Sequence, residues 1–516
     1  MAINGRLRPA AEALPTRPRN PLPLWLQQPG RPGLGVAWGL LLFAAVWLTH
    51  LSLNSLTPPI DNIEQLNWVH ALQWGYYKHP PLPTWMIWMP TQLFGANAWT
   101  SYATGAACTL ATVGVLWWLL SELRGHRHAT LAILAVLCIS YYNARLHVYN
   151  HDTMLALLST VSAALCWKAC TSAGRRWWLA LGVALGLGAL AKYQIAITMF
   201  CVLAVWLARR GWRDVRQRRG ILLAALVALL IFVPHLQWLR NNDFGPIQYA
   251  LGSSLGLELS AAQRLAGVFR WLVDQLCNRA LAAWLLLAFA VYALGRHNGL
   301  PGAATPVDAA TNQHDAGRTV ILCWAVTPLV LMPLVSMFTG ARLHLHWGSP
   351  FLLFAVPALM ELCAGQIQWA RVPPRSMLKA FVVIQLVLLT AGQLSATRER
   401  RVTGPRNWHN FDSQGLARIV EATASEVLSG GAICVVSGTS ELAGAIALKL
   451  ASHPLVLIDG RYDISPWVDR ELAKRCGLLQ LQAGPLLPDS RLVGPSLPGV
   501  WWRVVAPEPL APFPFW

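Results

Sequence analysis

The chain has 516 residues, of which 55% are hydrophobic and only 12% charged, about half the charged share of a soluble domain. With a mean hydropathy of +0.42, this excludes a disordered chain, a disulfide-stapled mini-domain and a soluble enzyme of ordinary surface, and leaves a polytopic membrane protein. The 41 Lys and Arg against 23 Asp and Glu give a net charge of +18; the arginines cluster in short gaps between apolar runs, so the excess reads as basic cytoplasmic loops and not as a nucleic-acid surface.

The chain opens on a Pro- and Arg-rich tail over residues 1–33, with Arg6, Arg8, Arg17, Arg19 and Arg31. A signal peptide would place its apolar stretch nearer the start, so a disordered cytoplasmic tail is expected. Apolar runs of spanning character follow at 34–56, 97–120, 130–142, 153–170, 177–191, 194–208, 220–239, 280–294, 320–339, 347–363 and 377–394, about eleven spans. Counting from a cytoplasmic tail puts the basic segments 124–128, 168–176, 209–219, 296–318 and 371–379 inside. The loops at 57–96, 143–152, 241–277 and 340–346, the break at Lys192 and everything after 396 then lie outside.

The outer loops carry the ionisable groups, and such groups beside lipid are retained for function or pairing. In the first loop Asp61 and Glu64 stand three residues apart, on one face if helical. They suit general-base work or a metal site, or Asp61 caps the helix and Glu64 completes a capping box. The loop continues Trp74-Gly-Tyr-Tyr77-Lys78-His79-Pro80-Pro81. The second loop ends Asn150-His151-Asp152 before a span, where Asp152 is either a helix cap or a site residue, and Arg145 stands just upstream. Lys192-Tyr193-Gln194 interrupts two apolar runs, as a snorkelling lysine would or a phosphate ligand. Arg342, His344 and His346 alternate and share one side if extended; Arg suits bidentate phosphate contact, and the two histidines admit a metal with no third ligand in view.

Residues 396–516 differ in kind. Strands are expected at 432–437 and 455–459, helices at 413–428 and 440–450, and loops with edge strands after Gly484, which together make a small α/β domain. The ten cysteines show no CxxC spacing; Cys434 and Cys476 are the pair placed to form a disulfide outside the membrane. There is no phosphate-binding loop of the GxxxxGK[ST] kind, so a nucleotide-driven transporter is not expected. Carboxylates together with Lys and Arg at a membrane surface fit a phosphate-linked lipid substrate and a reaction that needs a base.

The run Trp74-Gly-Tyr-Tyr-Lys-His-Pro-Pro-Leu-Pro-Thr-Trp85 resembles the first-loop pattern of the GT-C polytopic glycosyltransferases. The branch is glycosyltransferase family 39, with the aminoarabinose lipid A transferases and protein O-mannosyltransferases. Asp61 and Glu64 stand where that family often has adjacent acids, here separated by Asn62 and Ile63. Asp152, the run Gly188-Ala-Leu-Ala-Lys192-Tyr193 and His346-Trp347-Gly-Ser-Pro350 match further motifs in order, over residues 34–395. The resemblance implies an all-α GT-C membrane domain in a bacterial inner membrane with its site and C-terminal domain periplasmic. It implies inverting transfer of a sugar from a polyprenyl-phosphate donor to a lipid, glycan or protein acceptor. Asp61 or Glu64 would activate the acceptor, and Asp152 would orient the acceptor, the sugar or a metal. Lys192 and Arg342 would hold the phosphate, with Tyr77, Lys78, His79, His151, Tyr193, His344 and His346 around the substrate. Some relatives use a divalent metal ion, and the resemblance leaves a metal cofactor open here. The alternative from another class is a lipid-linked sugar flippase, which would show repeats and polar groups near mid-membrane.

Overall fold

A computed structural model describes residues 32–172, 174–255, 258–298, 312–402, 408–484, 489–494 and 497–507. The tail expected to be disordered lies, up to residue 31, outside the described residues. Each apolar stretch falls on helix. Six helices are long and apolar enough to cross a bilayer, at 33–53, 98–124, 151–171, 215–241, 315–339 and 374–399. Two bent pairs, 261–296 with a 49° bend and 345–362 with a 55° bend, raise the number to eight. The other three stretches are shorter helices: α5 (His126–Val136), α7 (Arg175–Ala191) and α8 (Ile195–Ala208), of 11, 17 and 14 residues. A helix of 14 residues reaches about 21 Å, against a hydrocarbon core of roughly 30 Å. The expected eleven spans thus resolve into six to eight crossings by length and three shorter helices.

Before α5 come α1 (Pro32–Leu53), α2 (Ile60–Trp68), α3 (Leu82–Phe94) and α4 (Ala98–Arg124). The long α6 (His151–Thr171) is the most enclosed of the six, with 72% of its apolar stretch buried. By contrast α9 (Val215–Asn241) is 22% buried over its stretch and presents Leu222, Leu226 and Leu230 outward. An apolar belt of this kind is stable only against lipid. Small residues let α7 and α9 approach closely: a Cβ on Gly182 would stand 2.6 Å from the Ala224 carbonyl oxygen, and one on Gly186 would stand 2.9 Å from Ile231 Cβ. That packing fixes the end of α7, where the chain breaks at Lys192. At the far end of α4, Arg124 makes a two-pronged pair with the buried Glu361, Nε to Oε1 at 2.8 Å and Nη2 to Oε2 at 2.6 Å.

The C-terminal domain begins with α10 (Ser413–Val427) and carries a sheet in the order β2-β1-β3-β5-β4. Its strands are β1 (Ile433–Gly438), β2 (Leu455–Ile458), β3 (Gly477–Ala483), β4 (Arg491–Leu492) and β5 (Val500–Val505). β1 runs parallel to β2 and β3, and β5 is antiparallel to β3. β5 is therefore an inner strand, not the edge expected after Gly484, and the buried Trp502 explains why. Cys434 and Cys476 are joined as a disulfide. Between β1 and β2, α11 (Ser440–Ala447) lies on α2. Ile63 of α2 belongs to the hydrophobic core of this domain, and Asn67 donates to the Ser440 carbonyl at 3.0 Å. Leu56, Thr57 and Pro58 are hydrogen-bonded to His409, Phe411 and Trp408.

Candidate active site

The helix that carries Asp61 and Glu64 starts after Pro58-Pro59. Its N-cap is Pro59, with no side-chain cap, so neither carboxylate is used as a capping group. Between them Asn62 is buried and fully bonded. It donates to Ser101 Oγ at 2.9 Å and to the His147 carbonyl at 2.8 Å, and it accepts from the Tyr149 backbone N–H at 2.9 Å. This clamps α2 to the second outer loop and leaves Asp61 and Glu64 on the wall of a cavity of about 760 Å³.

Asn150, not Asp152, caps α6, accepting from the Thr153 N–H at 2.9 Å. Its amide nitrogen donates to Asp61 Oδ2 at 2.7 Å. One asparagine therefore ties the first-loop acid to the helix that carries Asp152. The Asp152 carboxylate receives the Lys192 ammonium at 2.6 Å and stands 3.9 Å from His346 Nε2. Glu64 is ion-paired with Lys78. Among the three cavity carboxylates, Asp61 alone has no cation within ion-pair distance among the described residues.

Burial pushes the Glu64 carboxyl up to about 7 against the pull of the Lys78 ammonium. Burial would lower Lys78 in turn, but the Glu64 carboxylate outweighs it and holds the ammonium above its ordinary range. Its Nζ lies 5.3 Å from the Tyr77 ring centre and 5.4 Å from that of Tyr249, cation–π contacts that add to the pair. His79 is driven well below its usual value by burial, then by His151, Lys192 and Lys78. Its ring centre lies 4.0 Å from that of His151, with the two rings tilted by 35°. Burial, then the charges of Arg342 and Lys192, also lower His344.

Most of the residues singled out by sequence meet in this cavity: Asp61, Glu64, Lys78, His79, His151, Asp152, Lys192, Tyr193, His344 and His346 all line it. Two do not. Arg342 is exposed, because Ala341 and Leu343 take the wall positions on either side of it. Tyr77 packs on the C-terminal domain's core instead. The sequence reading missed Tyr249 and Ser254, which close another side; Ser254 Oγ is 3.0 Å from His344 Nε2. Among the described residues no three His, Cys, Asp or Glu side chains are grouped to hold a metal ion.

Residues 78–238 match the dolichyl-phosphate-mannose-protein mannosyltransferase family. The lipopolysaccharide core galacturonosyltransferase RgtA of Rhizobium johnstonii is 24% identical over 450 residues, 81% of this chain and 82% of that protein. An undecaprenyl phosphate-alpha-4-amino-4-deoxy-L-arabinose arabinosyl transferase of Erwinia tasmaniensis is 26% identical over 320 residues, 57% of this chain and 54% of that one. The crystal structure of ArnT from Cupriavidus metallidurans bound to undecaprenyl phosphate superposes with a TM-score of 0.56 at 17% identity, over 87% of this chain and 93% of that one. The resemblance to GT-C glycosyltransferases read from the loop motifs therefore stands, and the fold is that of a polytopic GT-C membrane protein with a small C-terminal sheet.

Proposed function

We propose that the chain is a glycosyltransferase that moves a sugar from a polyprenyl-phosphate donor to a lipopolysaccharide or lipid A acceptor at the periplasmic face of the inner membrane. The names of the relatives support the substrate class, and the charge of the loops supports the orientation. The chain's densest basic run, Arg209–Arg219, follows the end of α8 opposite the cavity, as a cytoplasmic loop would.

The observation that carries the mechanism is the unpaired state of Asp61 beside two paired acids. Glu64 and Asp152 are neutralised by Lys78 and Lys192, so Asp61 is the carboxylate free to take a proton. In this reading the acceptor hydroxyl gives its proton to Asp61 as its oxygen forms a bond to the anomeric carbon. The bond from that carbon to the phosphate oxygen breaks in the same displacement, which inverts the centre. The polyprenyl phosphate leaves with its charge met by the Lys78 and Lys192 ammonium groups. Asp152 holds Lys192 in place, and His346 stands beside it.

The test is reconstitution in liposomes with undecaprenyl-phosphate sugars and lipid A, with mass spectrometry of the lipids. A mass increase of one sugar on lipid A is expected, and the same increment should vanish from envelope lipids when the gene is deleted and return when it is restored. Movement of labelled donor lipid across the bilayer without any sugar transfer would replace this reading with a flippase.

A further inference from the structure

His235, deep in α9, is completely buried, although nothing in the sequence motifs marks it. Its Nδ1 meets the Trp74 carbonyl oxygen and its Nε2 meets the Tyr193 hydroxyl at 2.8 Å. A backbone carbonyl can only accept, so Nδ1 carries the ring proton and Nε2 of the neutral ring is an acceptor. The Tyr193 hydroxyl must therefore donate to Nε2, and its oxygen has only acceptor capacity left.

Two further features show that this arrangement is built in. The His235 ring is stacked on Trp238 at 5.9 Å. Gly75, the neighbour of Trp74, lies against the same Trp238 so closely that a Cβ there would fall 2.3 Å from its ring. The first loop is thus pressed onto α9 where His235 can reach its backbone. Tyr193 in turn lines two spaces at once, the polar cavity and an adjoining apolar groove of about 480 Å³ between α7, α8 and α9. It stands at the threshold between them.

We propose that His235 is a positioning residue that fixes Tyr193 as a hydrogen-bond acceptor, so that Tyr193 reads a hydroxyl or amino group of the sugar or acceptor and not the donor phosphate. A phosphate oxygen at neutral or higher pH offers no proton to such a group. The identity of the substrate as a lipid-linked sugar rests on the function proposed above; the tautomer and the exclusion of phosphate do not.

The test has an arm for each. In full-length protein labelled with ¹⁵N-histidine in nanodiscs, His235 should show a protonated Nδ1 and an unprotonated, hydrogen-bonded Nε2 whose signal moves in Tyr193→Phe; the opposite tautomer overturns the proposal. Undecaprenyl phosphate at pH 8 should bind wild type, Tyr193→Phe and His235→Gln equally, and a loss beyond about threefold in Tyr193→Phe overturns it. With a sugar-bearing donor and acceptor, Tyr193→Phe should raise KM for the sugar-bearing substrate on the order of threefold to tenfold, one neutral hydrogen bond's worth. His235→Leu should do the same, with no further loss in the double variant, and His235→Gln should restore most of it. Additive losses overturn the proposal. A wild-type protein with no transfer at all would refute the transferase reading alone, since the first two arms need no turnover.

Discussion

Asp61→Asn separates the three cavity acids most cleanly. The Asn150 amide now donates to Asp61 Oδ2 at 2.7 Å. An asparagine oxygen accepts the same bond, so the substitution removes charge and basicity and little else. No ion pair is broken, because none is made, and the stability change should stay within about 1 kcal/mol. The rate should fall by roughly two to four decades, the usual contribution of a positioned base, or about 3–5 kcal/mol of barrier. Glu64→Gln is the control: it removes the acid paired with Lys78 but leaves Asp61 in place, so the transfer rate at saturating donor should change less than about tenfold. The assay is initial rate of sugar transfer in liposomes at saturating donor and acceptor, with thermal unfolding of both variants. Asp61→Asn retaining more than about a tenth of the wild-type rate, or Glu64→Gln losing as much as Asp61→Asn, would refute the assignment.

Three other outcomes follow from the same geometry. Glu64, held up to about 7 by burial, is increasingly protonated as pH falls through that value; Lys78 then loses its counter-charge and attracts a phosphodiester donor more strongly. Donor KM should therefore fall from pH 8 to pH 6 in wild type and be flat in Glu64→Gln, and a rising KM would contradict this. Lys192→Met leaves Asp152 buried without its ammonium partner and should cost about 3–5 kcal/mol of stability, read by thermal unfolding; Asp152→Asn combined with Lys192→Met should recover stability but not binding of undecaprenyl phosphate. Gly444→Leu drives a Cβ to 2.4 Å from Ile63 Cγ2 and 2.8 Å from Asn67 Nδ2. Overpacking of about 1–3 kcal/mol should loosen the C-terminal domain from α2, seen as faster proteolysis after residue 402 and slower transfer.

Much of the site was legible because its chemistry is local. Lys78 and His79 in the run from Trp74 to Trp85, Asp152 at a span start and Lys192 at a break each announce themselves by polarity in an apolar context, and these four are brought to one cavity. Capping roles were not legible: Asp61 and Asp152 look like caps in sequence, but Pro59 and Asn150 hold those positions, and cap choice depends on where the backbone turns. Arg342 shows the limit of alternation, since Ala341 and Leu343 lie on the cavity wall and the arginine faces outward. Tyr249, Ser254 and His235 carry no motif and reach the site only through tertiary packing. The length of the third apolar run was not legible in the same way, because the run does not reveal that the chain turns at Leu137. The stretch after Gly484 read as loops and edge strands, and the inner place of β5 was not legible because a strand gains its burial from neighbours that sequence spacing does not identify.

The helix that bears Asp61 and Glu64 contributes Ile63 to a hydrophobic core otherwise made from residues beyond 400. During synthesis that helix leaves the ribosome some 350 residues before the partners that cover Ile63, residues made at roughly 5–20 per second. For about 18 to 70 seconds, on that estimate, the acid-bearing helix lacks the residues that cover Ile63. The order of synthesis therefore makes the seating of this helix one of the last contacts the chain can form.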